Sequence, residues 1–167
     1  LLDDLIDGDV APGRENAVIL ASQTLVPVAL QSLSHLGEDA TAYWTDRAFE
    51  LLSAPQYEAT HEPSAERYAE LLDRQSVLFG FVTGLAAVTT GQDDETIQRA
   101  ERLGRIAFKH AQYVLDYEQY HADGRETWNA VALRTESAVF DSLERWRGEI
   151  ERLTSTYDPE RALLIRA

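Results

Sequence analysis

An all-α domain is predicted from three features of this 167-residue chain. Apolar residues recur at helical spacing through long stretches, as at Val18, Leu25, Val28 and Leu36. Glycine, proline and short polar clusters cut the chain into pieces of helical length. Alternating polar–apolar runs bounded by turn residues, the mark of half-buried strands, are lacking. The long segments are largely apolar, so they are expected to pack on one another as a bundle. Neither an internal repeat nor a low-complexity linker divides the chain, and residues 1–167 are read as a single helical domain.

The elements follow in order. Leu1-Leu2-Asp3-Asp4-Leu5-Ile6-Asp7 reads as a helical turn, with its leucines and Ile6 anchoring it and Gly8 letting it stop. Asp3 and Asp7 share one face of that turn, and Asp4 sits one position round. Like charges at this spacing repel unless something neutralises them. Oxygen-only ligands suit Mg²⁺, which keeps several waters and bridges to substrate phosphate. The stretch therefore reads either as a Mg²⁺–diphosphate site or as an acidic helix end in an acidic protein. Val10-Ala11-Pro12-Gly13 is a turn. A helix is expected from Glu15 to about Leu36, closed by Gly37, and a second from about Asp39 to Leu52, ended by Ser53-Ala54-Pro55. Gln56 to Pro63 reads as short and irregular. Ser64 is placed as the N-cap of a long helix reaching Thr90 and closed by Gly91. Another long helix runs from about Asp94 to Tyr120. Asp123-Gly-Arg-Glu126 reads as a capping box for a helix from about Arg125 to Leu153, and a short helix follows Pro159.

Two helices carry features beyond patterning. Gly80 and Gly84, with Ala86 and Ala87, form a small-residue flank beside Phe79, Phe81, Val82 and Leu85. Glycine costs about 1 kcal/mol inside a helix, so the flank reads as close helix packing or as clearance for a ligand. On the next helix, Gln112 and Asp116 at i,i+4 both need partners if buried. Arg102, Arg105 and Lys109 lie near one face of that helix, which reads as a solvated basic stripe or as a surface that meets an anion.

Composition bounds the function. The chain has 15 basic and 29 acidic residues, a formal net charge of −14 and a pI near 4.6. That balance opposes binding to nucleic acid and to anionic lipid, which need cationic surfaces. Lys109 is the only lysine. Dense carboxylates with almost no lysine resemble proteins of salt-loving organisms, where acidic surfaces keep proteins hydrated. No run approaches the ~20 apolar residues of a membrane span, no secretory signal is visible, and a cytoplasmic location is expected. Cysteine is absent, which removes disulfides and thiolate metal sites. Methionine is absent even at position 1, so the sequence is expected to lack its start or to be part of a longer chain.

Read in order, several segments resemble the trans-isoprenyl diphosphate synthases of the polyprenyl synthetase family. Asp3-Asp4-Leu5-Ile6-Asp7 matches that family's first aspartate motif, DDxxD. Glu15 to Leu25 is similar to the helix E-A-x-A-I-L-A-G-D-x-L, with Ser22 and Gln23 in place of Gly-Asp. Pro55-Gln56 sits at the family's Gly-Gln. Arg67 to Phe79 resembles E-x-Y-x-x-x-x-x-K-T-x-x-L-F, with Arg74 and Gln75 at the Lys-Thr. Gly104 to Asp116 resembles L-G-x-A-F-Q-x-x-D-D, and Gly124-Arg125-Glu126-Thr127 resembles G-K-x-T.

The resemblance implies an isoprenoid-synthase-type helical bundle around a central apolar cavity. It implies a prenyltransferase that condenses isopentenyl diphosphate with an allylic prenyl diphosphate, using Mg²⁺, in a homodimer. Asp3, Asp4 and Asp7 are then metal ligands and catalytic, with Asp116 a further metal ligand. Arg74, Gln75, Gln112 and Arg125 are substrate-binding. Arginine for lysine preserves charge but turns a point contact into a forked one. The chain departs from the family pattern in places. Only Gly8 to Arg14 separates the first motif from the next helix, so the usual Arg-Arg-Gly tract is missing. The second motif reads Leu115-Asp116-Tyr117-Glu118-Gln119, with two of three aspartates lost. The family's helices that precede the first motif have no counterpart in the sequence as it begins at Leu1. The competing expectations are a non-catalytic homologue serving as partner or regulatory subunit of a prenyl diphosphate synthase, and a plain helical interaction module. Terpene cyclases share the same bundle.

Overall fold

The computed structural model describes residues 10–51, 53–122 and 128–155. Seven helices follow one another there, and no strand occurs among the described residues. They are α1 (Glu15–Ser34), α2 (Glu38–Leu51), α3 (Ser53–Thr60), α4 (Ala65–Thr89), α5 (Asp94–Ala122), α6 (Ala130–Leu133) and α7 (Glu136–Thr154). The helical turn expected over residues 1–7, the capping box at 123–126 and the helix expected after Pro159 lie outside the described residues.

Local signals account for most boundaries. The Ser64 hydroxyl accepts from the Arg67 N–H and starts α4. At its other end Gly91, at φ +67°, lets Gly91 N–H reach the Val88 carbonyl and Gln92 N–H reach that of Ala87, a Schellman closure. The Asp93 carboxylate accepts from Thr96 N–H at 2.9 Å and begins α5. Two expectations are corrected. Pro55 lies inside α3, and Gln56 to Thr60, expected to be irregular, are helical. The long helix expected from Arg125 is interrupted: Asn129, Arg134 and Thr135 are extended, leaving the short α6 and a separate α7 capped by Thr135.

The architecture rests on α4 and α5, which run antiparallel in the most extensive packing of the molecule. α2 packs on α4, α7 packs on α5, and α6 is wedged among α4, α5 and α7. The main core joins Tyr68 and Leu72 of α4 to Tyr113 of α5, Ala130 and Val131 of α6 and Val139 of α7, with Trp128 and Trp146 at its margin. α3 adds Ala54 and Tyr57 against Leu71.

Glycines set how close the helices come. A Cβ at Gly104 would overlap the Phe79 carbonyl and the Thr83 hydroxyl, so the α5 backbone lies directly on α4. Thr83 uses that closeness to donate across to the Ala100 carbonyl at 2.7 Å. Gly80 and Gly84 open a passage for side chains: a Cβ at Gly80 would stand 2.7 Å from Cγ of Arg105, and one at Gly84 would overlap the Tyr43 hydroxyl. Through it Tyr43 of α2 donates to Glu101 of α5, and Arg47 reaches the same carboxylate at 2.6 Å while its guanidinium lies 3.8 Å from the Tyr43 ring centre. Burial first, then the carboxylate it binds, holds the Tyr43 phenol above its ordinary pKa and keeps it a donor. Of the two readings of the small-residue flank, these contacts favour helix packing.

α1 stands apart. Only α2 packs substantially against it, and Leu33 is its one buried residue among those described. Leu20, Leu25, Val26 and Val28 are 53–63% exposed. Pro27 sits inside it and withholds one helix hydrogen bond. By length and apolarity α1 and α4 are both sufficient to cross a membrane, whereas the sequence reading expected no span; 44% of the apolar stretch of α4 is buried, against 6% of that of α1, among the described residues.

Replacing Gly104 with Ala is expected to lower stability by about 2 kcal/mol through forced separation of α4 and α5. Gly148→Ala, where no atom lies within 4 Å of the new methyl, should raise it by about 0.5–1 kcal/mol through helix propensity alone. Urea unfolding of the two variants checks both signs.

Candidate functional site

A carboxylate of α5, Asp116, lies at the junction of three helices. Asp116 is fully buried. Its Oδ2 accepts from the Tyr68 hydroxyl of α4 and from the Ala130 N–H at 2.7 Å, which starts α6. Its Oδ1 accepts from Gln112 Nε2 at 2.8 Å, one turn back on α5. The Asn129 amide donates to the Asp116 backbone carbonyl at 2.8 Å, and its Oδ1 accepts from the N–H groups of Val131 and Ala132, capping α6. Burial, reinforced by the adjacent carboxylate, pushes the Tyr68 phenol well above its ordinary pKa, so it remains a donor. Beside it, the Tyr113 hydroxyl accepts from Arg134 at 2.6 Å. Burial raises the Tyr113 phenol, and Arg134 partly offsets this.

A different surface opens one turn away. Phe79 stacks on Phe108 with ring centres 4.4 Å apart, and Phe108 also packs against the margin of the main core. Leu78, Phe79 and Val82 of α4 and Leu115 of α5 are 45–56% exposed. Gln75 precedes Phe79 by four residues and Gln112 follows Phe108 by four, so helical spacing places both amides one turn from the aromatic pair, at the same end. The result is an apolar strip with two amides at its head and Asp116 one further turn along α5.

The predicted residues thus divide. Gln75, Gln112 and Asp116 share one end of the α4–α5 pair. Arg74 points elsewhere: its guanidinium lies 4.6 Å from the Tyr57 ring centre, on a shallow cavity of about 330 Å³ shared with Glu50, Glu70 and Asp73. Asp3, Asp4, Asp7 and Arg125 lie outside the described residues. Among the described residues no three His, Asp or Glu side chains converge as a metal site. Asp116 in this arrangement does not fit a Mg²⁺ ligand, because three donors already point at its oxygens and a cation there would face their protons.

Sequence reasoning missed Tyr68, Asn129 and Arg134. Asn129 and Thr135 carried a readable signal, each standing before a helical run as an N-cap residue. Tyr68 stands at the Tyr of the E-x-Y pattern, but its partner, 48 positions away, was not legible from it. No family model matches the chain, and no curated protein or solved structure matches it either.

Asp116→Ala should destabilise the fold by about 3 kcal/mol, because it strands buried donors on α4 and α6. Asn129→Ala should cost about 1–2 kcal/mol through loss of the cap. Chemical denaturation followed by circular dichroism measures both losses.

Proposed function

We propose that this chain is a prenyltransferase of isoprenoid biosynthesis, of the polyprenyl synthetase type, acting in the cytoplasm on isopentenyl diphosphate and an allylic prenyl diphosphate. The observation that supports this reading is the polar-headed apolar strip on α4 and α5, formed by segments that resemble the family's substrate helices. An allylic diphosphate has the same two-part character. Gln75 and Gln112 offer amide donors to its oxygen-rich head. Leu78, Phe79, Val82 and Phe108 offer an oily wall to its tail, which excludes water from one side of an allylic cation and presents aromatic faces to it. In the family's bundle this wall belongs to a central cavity. Mg²⁺, for which the resemblance supplies Asp3, Asp4 and Asp7, would contribute Lewis-acid stabilisation of the departing diphosphate.

A second reading, the non-catalytic partner subunit, is favoured by one specific observation: Asp116 is consumed as a structural acceptor. Incorporation of labelled isopentenyl diphosphate into a prenyl product, with Mg²⁺ in concentrated salt, tests the first. The enzyme reading expects product from wild type, none from the Asp3→Asn/Asp4→Asn variant, and at least tenfold less from Phe79→Ser at unchanged helicity. Absence of product with every allylic primer overturns the enzyme reading.

The homodimer is supported by α1. Two copies of a chain at net charge −14 repel each other, and α1 offers a surface with no charged residue between Glu15 and Ser34. Sedimentation should give a dimer for wild type and a monomer for Leu20→Gln/Leu25→Gln/Val28→Gln. Partition of a monomeric wild type into zwitterionic vesicles would replace a second copy by a bilayer as the partner of α1.

A further inference from the structure

On the side of α5 that faces α7 lies a cavity of about 410 Å³, within the size range of small-molecule sites. Its walls include Arg102, Arg105 and Lys109 of α5 and, with Ile106, the indole of Trp146 from α7. Three cations on one wall stand out in a chain with 15 basic and 29 acidic residues. Two carboxylates also line it. Glu101 is turned toward α2 by Tyr43 and Arg47. Glu149 pairs with Arg102 and, at 3.6 Å, with Arg152.

The cations reach carboxylates on three different elements: Arg102 to Glu149 of α7, Arg105 to Glu50 of α2 at 3.0 Å, and Lys109 to Asp73 of α4. Glu50 and Asp73 are more than half exposed in their side chains. These two pairs contribute about 0–1 kcal/mol, so a multivalent anion entering the cavity can replace them, while Glu149, at 21% exposure, stays beside Arg102 and leaves the anion that guanidinium's remaining N–H groups. Positions 102, 105 and 109 span two helical turns, about 10 Å of axis, which is longer than a single phosphate group. Gly80 keeps the path of the Arg105 stem clear.

We propose that this cavity binds a small organic diphosphate, with its phosphoryl oxygens on Arg102, Arg105 and Lys109 and its organic part against Trp146 and Ile106. The site does not rest on the prenyltransferase reading and needs no divalent cation. A flat base and an isoprenoid tail both suit an indole wall, and the test separates them.

Calorimetric titration of the full chain, with chelator present and ionic strength held low and constant, tests the site with inorganic phosphate, pyrophosphate, ADP and geranyl diphosphate. Chelation keeps any aspartate-held metal from contributing, so the result stands apart from the incorporation assay. Saturable one-to-one binding of pyrophosphate is expected, at least tenfold tighter than phosphate. ADP or geranyl diphosphate should bind tighter still, and whichever gains more identifies the organic part. Arg102→Gln and Lys109→Gln should each weaken pyrophosphate at least tenfold. Trp146→Leu should remove the added affinity of the organic diphosphate and leave pyrophosphate unchanged. Arg14→Gln, the same charge change before α1, should have no effect. The proposal is overturned if pyrophosphate does not saturate, if Arg14→Gln weakens it as much as Lys109→Gln, or if the cavity variants bind as wild type does while melting as wild type does.

Discussion

The contact of the α5 backbone at Gly104 with the α4 backbone at Phe79 is the constraint on which the remaining geometry depends. At that separation Thr83 can bond directly across the helices, and Phe79 and Phe108 meet face to face. The same closeness brings α2 within side-chain reach of α5, so that Tyr43 and Arg47 converge on Glu101 past Gly84. A wider helix pair would leave those polar groups short of their partners. Glycine lowers helix propensity, and here that cost is offset by contacts available only to closely spaced backbones.

Asp116 acts at the other end of the same pair. A buried carboxylate is unfavourable unless donors surround it, and here they come from α4, α5 and the start of α6. Because each donor belongs to a different segment, the network specifies one arrangement of the three. Asn129 adds a bond to the Asp116 carbonyl and caps α6 with the same side chain. The aspartate therefore orders the segment that leads into α7, and it fixes the Gln112 amide at the head of the apolar strip.

The surface follows a different logic. Most of it is acidic, and two departures from that acidity are local. α1 has no charge along nearly its whole length and little cover, while the cavity beside α7 gathers three cations on one helix. Both carry a cost in a chain of this composition, one in exposed apolar area and the other in exposed ion pairs that contribute little stability.

The all-helical class, the reach of α1, α2, α4 and α5 and the need of Gln112 and Asp116 for partners were legible in the sequence. Helical spacing, the Ser64 cap and the Gly91 stop are local signals, complete within a few residues. Pro55 was read as a stop yet stands inside α3, and the break before α7 comes from the extended residues and caps at Asn129 and Thr135, which apolar periodicity alone runs across. What Asp116 binds, which way Arg74 turns and whether Gly80 and Gly84 admit a ligand or a side chain were settled only in three dimensions. Tyr68, Tyr57 and Tyr43 are distant in sequence from the residues that give these answers. Local propensity places a residue on a helix and on a face of it; only the packing of one helix against another decides what that face meets.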